Sequence, residues 1–474
     1  MHEIHEPDLA AIPRITIAGL RGSGGKSLVS FGVTAALRTR GMRVVPFKKG
    51  PDYIDAAWLS RAAGRPCRNL DLFMMAEGEV TRSFGRFAPP GDVAVIEGNR
   101  GLFDGMDAAG TFSTAELAKR LGSPVVLVCD VTKTTRTAGA LVLGCQRFDP
   151  ELPIAAVILN RIAGRRHESI VREVVERYCG LPVLGAIPRL PASHFPERHL
   201  GLVPPQEHGE VPDAIQHAAR VAEEYLDLDA LLAIAGASSS RQSQNATADP
   251  AGAGPPVGDR DAVTIGVFRD EAFQFYYSDN LEALEAAGGR LRFLSPLHDT
   301  ALPALDAIYI GGGFPETLAS ELAANPEFRH AVANAVEAGV PVYAECAGAV
   351  YLGRSLAFGD ATYPMTGALP VDFGFSARPQ GHGYTECEVV GNNPFHETKT
   401  SFRGHEFHYS HVRALEEERL SFAFRMLRGH GMDGTRDGIC YKNTLATYCH
   451  LHARGVPTWA PALVAAGRAF KHAR

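Results

Sequence analysis

Residues 14–40 read RITIAGLRGSGGKSLVSFGVTAALRTR, and this stretch decides the fold of the first half of the chain. An apolar strand, Arg14–Ala18, runs into Gly19-Leu-Arg-Gly22-Ser-Gly24-Gly25-Lys26-Ser27, and a helix is expected from Leu28 to Arg40. Gly22, Gly24 and Gly25 free the backbone to fold its N–H groups around phosphates, and the helix N-terminus adds a favourable partial positive charge. Lys26 would reach the terminal phosphates, and the Ser27 hydroxyl would ligate Mg²⁺. Strand, loop, Lys-Ser and helix stand in the order that binding ATP requires.

Downstream, each expected strand ends in polar residues. Lys48-Lys49-Gly50-Pro51-Asp52-Tyr53-Ile54-Asp55 follows the strand Arg43–Phe47. Two acids and two lysines on a Gly-Pro turn suit a divalent cation and an anionic substrate. Arg68-Asn69-Leu70-Asp71, taken alone, is a polar quartet of a kind common on surfaces. Strand Asp92–Glu97 ends on an acid, the usual place for a carboxylate near a metal, and leads into Gly101-Leu102-Phe103-Asp104-Gly105. Further strands are expected at Pro124–Asp130, Pro153–Leu159 and Pro182–Ile187.

The second half repeats the alternation, with strands expected at Val263–Phe268, Arg290–Leu294, Ala307–Ile310 and Pro341–Ala344, and later ones around Phe402–Ser410 and Leu445–His450. Such alternation implies two α/β domains, each a doubly wound parallel sheet covered on both faces, with functional residues at the carboxyl ends of the strands. A Ser-, Ala-, Gly- and Pro-rich stretch with few large apolar residues, 235–261, reads as a flexible linker between domains 1–234 and 262–474. The 474-residue length independently suggests two cores of ~200 residues each.

Composition excludes several classes. The net charge of −6 gives no electrostatic case for nucleic acid or an anionic membrane. No apolar run approaches the ~20 residues that span a bilayer. The acidic start, with Glu3, Glu6 and Asp8, has no signal-peptide layout. Eight scattered cysteines without a Cys-x-x-Cys pair argue for a reduced cytoplasm.

One of those cysteines is a candidate nucleophile. Pro341-Val-Tyr-Ala344-Glu345-Cys346-Ala347-Gly348 turns from strand to helix, lifting the sulfur onto a tight elbow at a helix N-terminus. Gly311-Gly312-Gly313, after its own strand, offers amides for an oxyanion hole together with Ala347. Tyr448-Cys449-His450-Leu451-His452 offers a base, for which His450 is the choice over His452. This layout matches a class I glutamine amidotransferase, flavodoxin-like in fold, in which the thiolate attacks the glutamine side-chain carbonyl and ammonia leaves. His405, Glu406 and His408 sit on one expected strand, where neighbours face opposite ways, so a shared metal site is not expected there.

The ordered set of motifs resembles the cobyrinic acid a,c-diamide synthase family over almost the whole chain. It includes Gly19–Ser27, PFKKGPDYID, RNLD, EGNRGLFDG, ERHLGLV, FYYSDNLEALE, YIGGGFPE, YAECAG and RGHEFHYS. The resemblance implies a dethiobiotin-synthetase-like ATPase joined to a Cys–His glutaminase. The implied reaction is amidation of the a- and c-acetates of a tetrapyrrole through an acyl phosphate, as a step in cobalamin biosynthesis. By the same analogy Lys26, Ser27, Asp52 and Glu97 serve ATP and Mg²⁺, Asn160 reads adenine, and Cys346 and His450 serve glutamine. Lys49, Asp55, Arg68, Asn69, Asp71, Leu102, Phe103 and Asp104 would lie nearer the tetrapyrrole. Expected partners are small molecules, namely glutamine, ATP and the macrocycle; a homodimer stays open.

The chain departs from the family at four places. Ala347 replaces a Gly at the elbow, Ser27 stands where Thr is frequent, Lys49 replaces an apolar residue, and Asn99-Arg100 alters a turn. The last two, on the substrate side, leave room for a related macrocycle such as sirohydrochlorin, its nickel form or siroheme. A different class, a nucleotide-switched regulatory ATPase with a non-catalytic second domain, shares the loop but has no need of Cys346 with His450.

Overall fold

The computed structural model describes residues 9–190, 197–198, 201–207, 209–238 and 262–474. They divide into one unit of residues 1–72 and 77–251 and a second of residues 73–76 and 252–474. Most of the expected linker, from residue 239 onward, and part of the ERHLGLV motif lie outside the described residues. The linker's first residues, 235–237, belong instead to the helix Leu228–Ala237, where Leu228, Leu231 and Ala235 are buried. An apolar face that finds a core overrides a merely small-residue composition.

In the first unit seven strands form one parallel sheet: β1 (Arg14–Gly19), β2 (Val44–Lys49), β3 (Arg68–Leu70), β4 (Val93–Glu97), β5 (Val125–Asp130), β6 (Ile154–Ile162) and β7 (Val183–Pro188). Their order is β3-β2-β4-β1-β5-β6-β7. Central β1 and β4 are buried along their whole length, which is why they read as unbroken apolar runs. The order places the carboxyl ends of β1, β2 and β4 side by side, where the phosphate loop opens into α1 (Lys26–Thr39) and the Gly-Pro turn into α2 (Tyr53–Ala63). The quartet 68–71 is not a surface feature: its first three residues form β3, and all four are buried.

The second unit has a ten-stranded sheet. Five strands are parallel, in the order β9-β8-β10-β11-β16: β8 (Val263–Phe268), β9 (Gly289–Leu294), β10 (Ala307–Ile310), β11 (Val342–Glu345) and β16 (Thr444–Thr447). Sequence reading predicts this portion. The extension that follows, β15 (Arg436–Tyr441), β14 (Ser421–Arg428), β12 (Gly381–Val389), β13 (Ser401–His408) and β17 (His450–Leu451), is antiparallel throughout, and of its strands the sequence predicts only β13, around 402–410, and the start of β17, within 445–450. The connection from β15 to β16 is too short for the crossover that a parallel pair needs. The expected strand 402–410 breaks at Tyr409, and Ser410–Leu415 joins a separate four-stranded sheet. Two helices matter for the site: α3 (Ser278–Ala286) and α4 (Ala347–Leu352).

Candidate active sites

The first unit gathers a charged centre around Lys48. On β2, Lys48 is 1% exposed, and its ammonium lies 2.6 Å from Asp55 Oδ2, 3.1 Å from Glu97 Oε1 and 3.7 Å from Asp52 Oδ2. Register places Lys48 opposite Glu97 on the neighbouring strand. Burial alone would disfavour the ammonium, but the three carboxylates outweigh it and raise its pKa above the ordinary lysine range. The Ser27 hydroxyl donates to Glu97 Oε1 at 2.8 Å, in reach of Asp55 Oδ2 at 3.4 Å. Burial pushes Glu97 up to about 8. For Asp55 burial acts the same way, but Lys48 outweighs it and holds the carboxyl below its usual range. Asp52 also caps α2, accepting the Asp55 N–H at 3.0 Å.

The loop itself is held from two sides. Gly25 caps α1 at φ 95°, a left-handed conformation, and a Cβ there would fall 2.0 Å from Asn160 Nδ2. That amide donates to the Gly24 carbonyl at 3.0 Å, so Asn160 fixes the loop from β6. Lys26 folds back, donating to the Arg21 carbonyl at 3.3 Å. Beside this centre, Asn69 donates to the carbonyls of Gly50 and Asp52 at 2.8 and 2.9 Å, tying down the Gly-Pro turn.

In the second unit Cys346 sits between β11 and α4 at φ 49°, ψ −101°. A non-glycine residue in that region is strained, and such strain gathers at functional sites. The elbow is fixed by the Cys346 N–H, which donates to the Thr447 carbonyl at 2.7 Å, and by the Gly348 N–H, which donates to Gly311 at 3.2 Å. The second bond draws the Gly311–Gly313 run against the elbow. His450 is 1% exposed; its Nδ1 donates to Glu345 Oε2 at 3.2 Å. Glu345, wholly buried at the end of β11, also accepts from the Tyr309 hydroxyl and the Leu451 N–H, at 3.3 and 3.4 Å. Burial would lower the imidazole, but its hydrogen bond with Cys346 and the Glu345 carboxylate outweigh burial and push it up to about 10. His405 stacks on the same ring at 4.9 Å, and burial followed by repulsion from His450 drives it well below the usual histidine range. Nucleophile, base and buried acid thus lie in sequence, the relay by which a thiol is activated.

Two domain families match these halves. The CobQ/CobB/MinD/ParA nucleotide binding domain matches residues 15–203, and the CobB/CobQ-like glutamine amidotransferase domain matches residues 264–457. Cobyrinate a,c-diamide synthase of Magnetococcus marinus is 44% identical over 452 residues, 95% of this chain and 96% of that protein. Those of Methanosarcina acetivorans and Archaeoglobus fulgidus are each 40% identical, covering 98% and 93% of this chain and 98% and 94% of their own. The chain belongs to the cobyrinate a,c-diamide synthase family. It is an enzyme of the amidoligase class, with a nucleotide-binding half and a glutamine amidotransferase half. Among the described residues no helix is long and apolar enough to cross a membrane.

Measured against the family reading, the structure brings Lys26, Ser27, Asp52 and Glu97 together and adds Asp55, which sequence analysis assigned to the macrocycle side. Lys48, the hub of the centre, reads in the sequence only as one of two lysines suited to an anionic substrate and receives no role of its own there. Leu102 does not face an open site: it is 2% exposed in the core and donates its N–H to the Gly19 carbonyl at 2.8 Å. Phe103 and Asp104 line, with Arg100 and Phe148, a cavity of about 620 Å³. Arg68 lies 3.8 Å over the Phe87 ring. Lys49, buried at the end of β2, feels the charges of Asp71, Lys48 and Arg100. Glu345 was likewise missed as a site residue.

Proposed function

We propose that this family member uses ATP and glutamine to amidate the a- and c-acetate carboxylates of cobyrinate, by way of an acyl phosphate. The observation that carries the reading is Cys346 on a strained elbow, hydrogen-bonded to His450, which Glu345 holds from behind. Identity of 44% and 40%, over nearly the full length, to proteins named for cobyrinate supports that macrocycle. The same evidence disfavours the regulatory ATPase, which has no use for this relay.

In the second unit the thiolate attacks the glutamine amide carbon. The amides of Gly312, Gly313 and Ala347 are the candidates to receive the developing oxyanion, and the His450 imidazolium gives its proton to the departing ammonia. His450 then takes a proton from the water that releases glutamate. In the first unit the substrate carboxylate attacks the terminal phosphorus of ATP and ADP leaves; ammonia next attacks the acyl carbon and phosphate leaves. Lys26 would hold the terminal phosphates, with Asn160 supporting the loop. Lys49, Arg68, Asn69, Asp71, Phe103 and Asp104 are the candidates to contact the macrocycle.

The residues fit Mg²⁺. A hydroxyl and carboxylates converge, and Glu97 Oε2 is buried with no hydrogen-bond partner among the described residues. Among the described residues no three His, Cys, Asp or Glu side chains form a cage, in keeping with an ion that takes one or two carboxylates and completes its shell with phosphates and water. Ser27, Glu97 and Asp55, with Asp52 behind them, would hold it, and when bound it would neutralise charge on the transferring phosphoryl group.

Cys346→Ala tests the assignment. Amide formation from glutamine should vanish while ammonium salts still support synthesis; loss of both, or of neither, contradicts it.

A further inference from the structure

We propose that Asp437 and Asn280 are positioning residues for glutamine hydrolysis, clamping residues 447–453 so that His450 is held against the Cys346 elbow. Neither touches the reacting atoms, and the inference rests on the Cys346–His450 reading above.

The base opens β17, just beyond the end of β16, and each flank of segment 447–453 is seized by one wholly buried side chain. On the amino-terminal flank, Asp437 of β15 accepts from the Thr447 hydroxyl at 2.7 Å, from the Tyr448 N–H at 3.1 and 3.2 Å, and from the Cys449 N–H at 3.1 Å. It also accepts the Gly438 N–H at 2.7 Å. The Thr447 carbonyl in turn receives the Cys346 N–H. One carboxylate therefore fixes the nucleophile's elbow and the base's strand to a common point. On the carboxyl-terminal flank, Asn280 of α3 donates to the Leu451 carbonyl at 3.0 Å and accepts the Ala453 N–H at 2.7 Å, pairing with the backbone as a strand would.

A buried carboxylate with no cation against it is expensive unless donors satisfy it. Among the described residues the hydrogen bonds to Asp437 all come from donors, and burial still pushes its pKa up to about 6, with the nearby acid Glu406 adding to the effect. Retaining such a group makes sense if both of its oxygens are needed. An asparagine has the same shape but one acceptor, so in either orientation its NH₂ meets donors from segment 447–449 or from Gly438. A segment loosened in this way misplaces His450, and a displacement near 1 Å costs about 100-fold in rate.

The test compares wild type with Asp437→Asn, Asn280→Ala and Thr447→Val. Glutamine hydrolysis and ammonium-supported amide synthesis are measured separately, each as kcat and KM. The expected result is a glutaminase kcat lowered by about 10- to 100-fold for the first two and less for Thr447→Val, with KM for glutamine and ammonium-supported synthesis little changed. Unchanged kcat in the variants, or synthesis falling in step with hydrolysis, overturns the inference. If Asp437→Asn does not accumulate in folded form, Asn280→Ala and Thr447→Val decide by the same criteria. Wild type and Cys346→Ala are run alongside. A wild type that hydrolyses no glutamine, or a Cys346→Ala protein that still does, defeats the parent reading rather than this one.

Discussion

Glu345 holds His450 from behind, its carboxylate accepting from Nδ1 at 3.2 Å while both side chains stay buried. Glu345→Gln keeps the shape but removes the charge behind His450, so glutaminase kcat should fall by about 10- to 1000-fold while ammonium-supported synthesis survives. Equal rates of glutamine hydrolysis in mutant and wild type would show that the acid is idle. The raised His450 pKa carries a definite sign. The imidazole stays charged until pH rises through about 10, so its contribution to stability is full below the ordinary histidine value near 6.5 and is lost across that interval. Imidazole NMR should report imidazolium at pH 8 in wild type and a lower pKa in Cys346→Ala; a neutral ring at pH 8 in wild type contradicts the pair. Neither Glu345 nor Lys48 carried an individual role in the sequence, because the role of each comes from a partner on a distant strand. Lys48 meets Glu97, and Glu345 meets His450, over sequence distances of 49 and 105 residues. No local pattern encodes such meetings, whereas Lys26, Ser27 and Cys346 are legible because strand, turn and helix are contiguous around them.

Among elements, the two turns that bracket the glutaminase site differ in what they tolerate. A Cβ on Gly313 would lie 1.9 Å from the Ala272 carbonyl, so Gly313→Ala should cost about 2 kcal/mol or more and lower the melting temperature. Ala347, in contrast, begins α4 and is not among the residues with positive φ, so the departure from the family's Gly carries no backbone penalty. Ala347→Gly should leave glutaminase kcat within about twofold, since the amide stays where it is; a large gain would mean that the methyl obstructs glutamine. The central parallel strands were legible because burial on both faces leaves uniform apolar runs. In the antiparallel extension β12 and β14 were not, since β12 buries only alternate stretches and β14 is largely exposed, leaving patterns that resemble loops. Three-residue β3 is too short to carry a period at all.

For the whole molecule, both halves answer to one reaction only if ATP and glutamine are spent on the same carboxylates. Two family models match residues 15–203 and 264–457, and the curated relatives align over nearly their whole length. The macrocycle itself is what the residues encode least plainly, because Lys49 and Arg100 would favour any polycarboxylate. The decisive measurement is the product mass after incubation with ATP, Mg²⁺ and glutamine labelled with ¹⁵N at the side-chain amide, using cobyrinate beside sirohydrochlorin, its nickel chelate and siroheme. The account predicts that cobyrinate exchanges two hydroxyls for labelled amides and that the other macrocycles lag behind it. Label entering a different macrocycle in preference, or ATP hydrolysed with no macrocycle amidated, would contradict it.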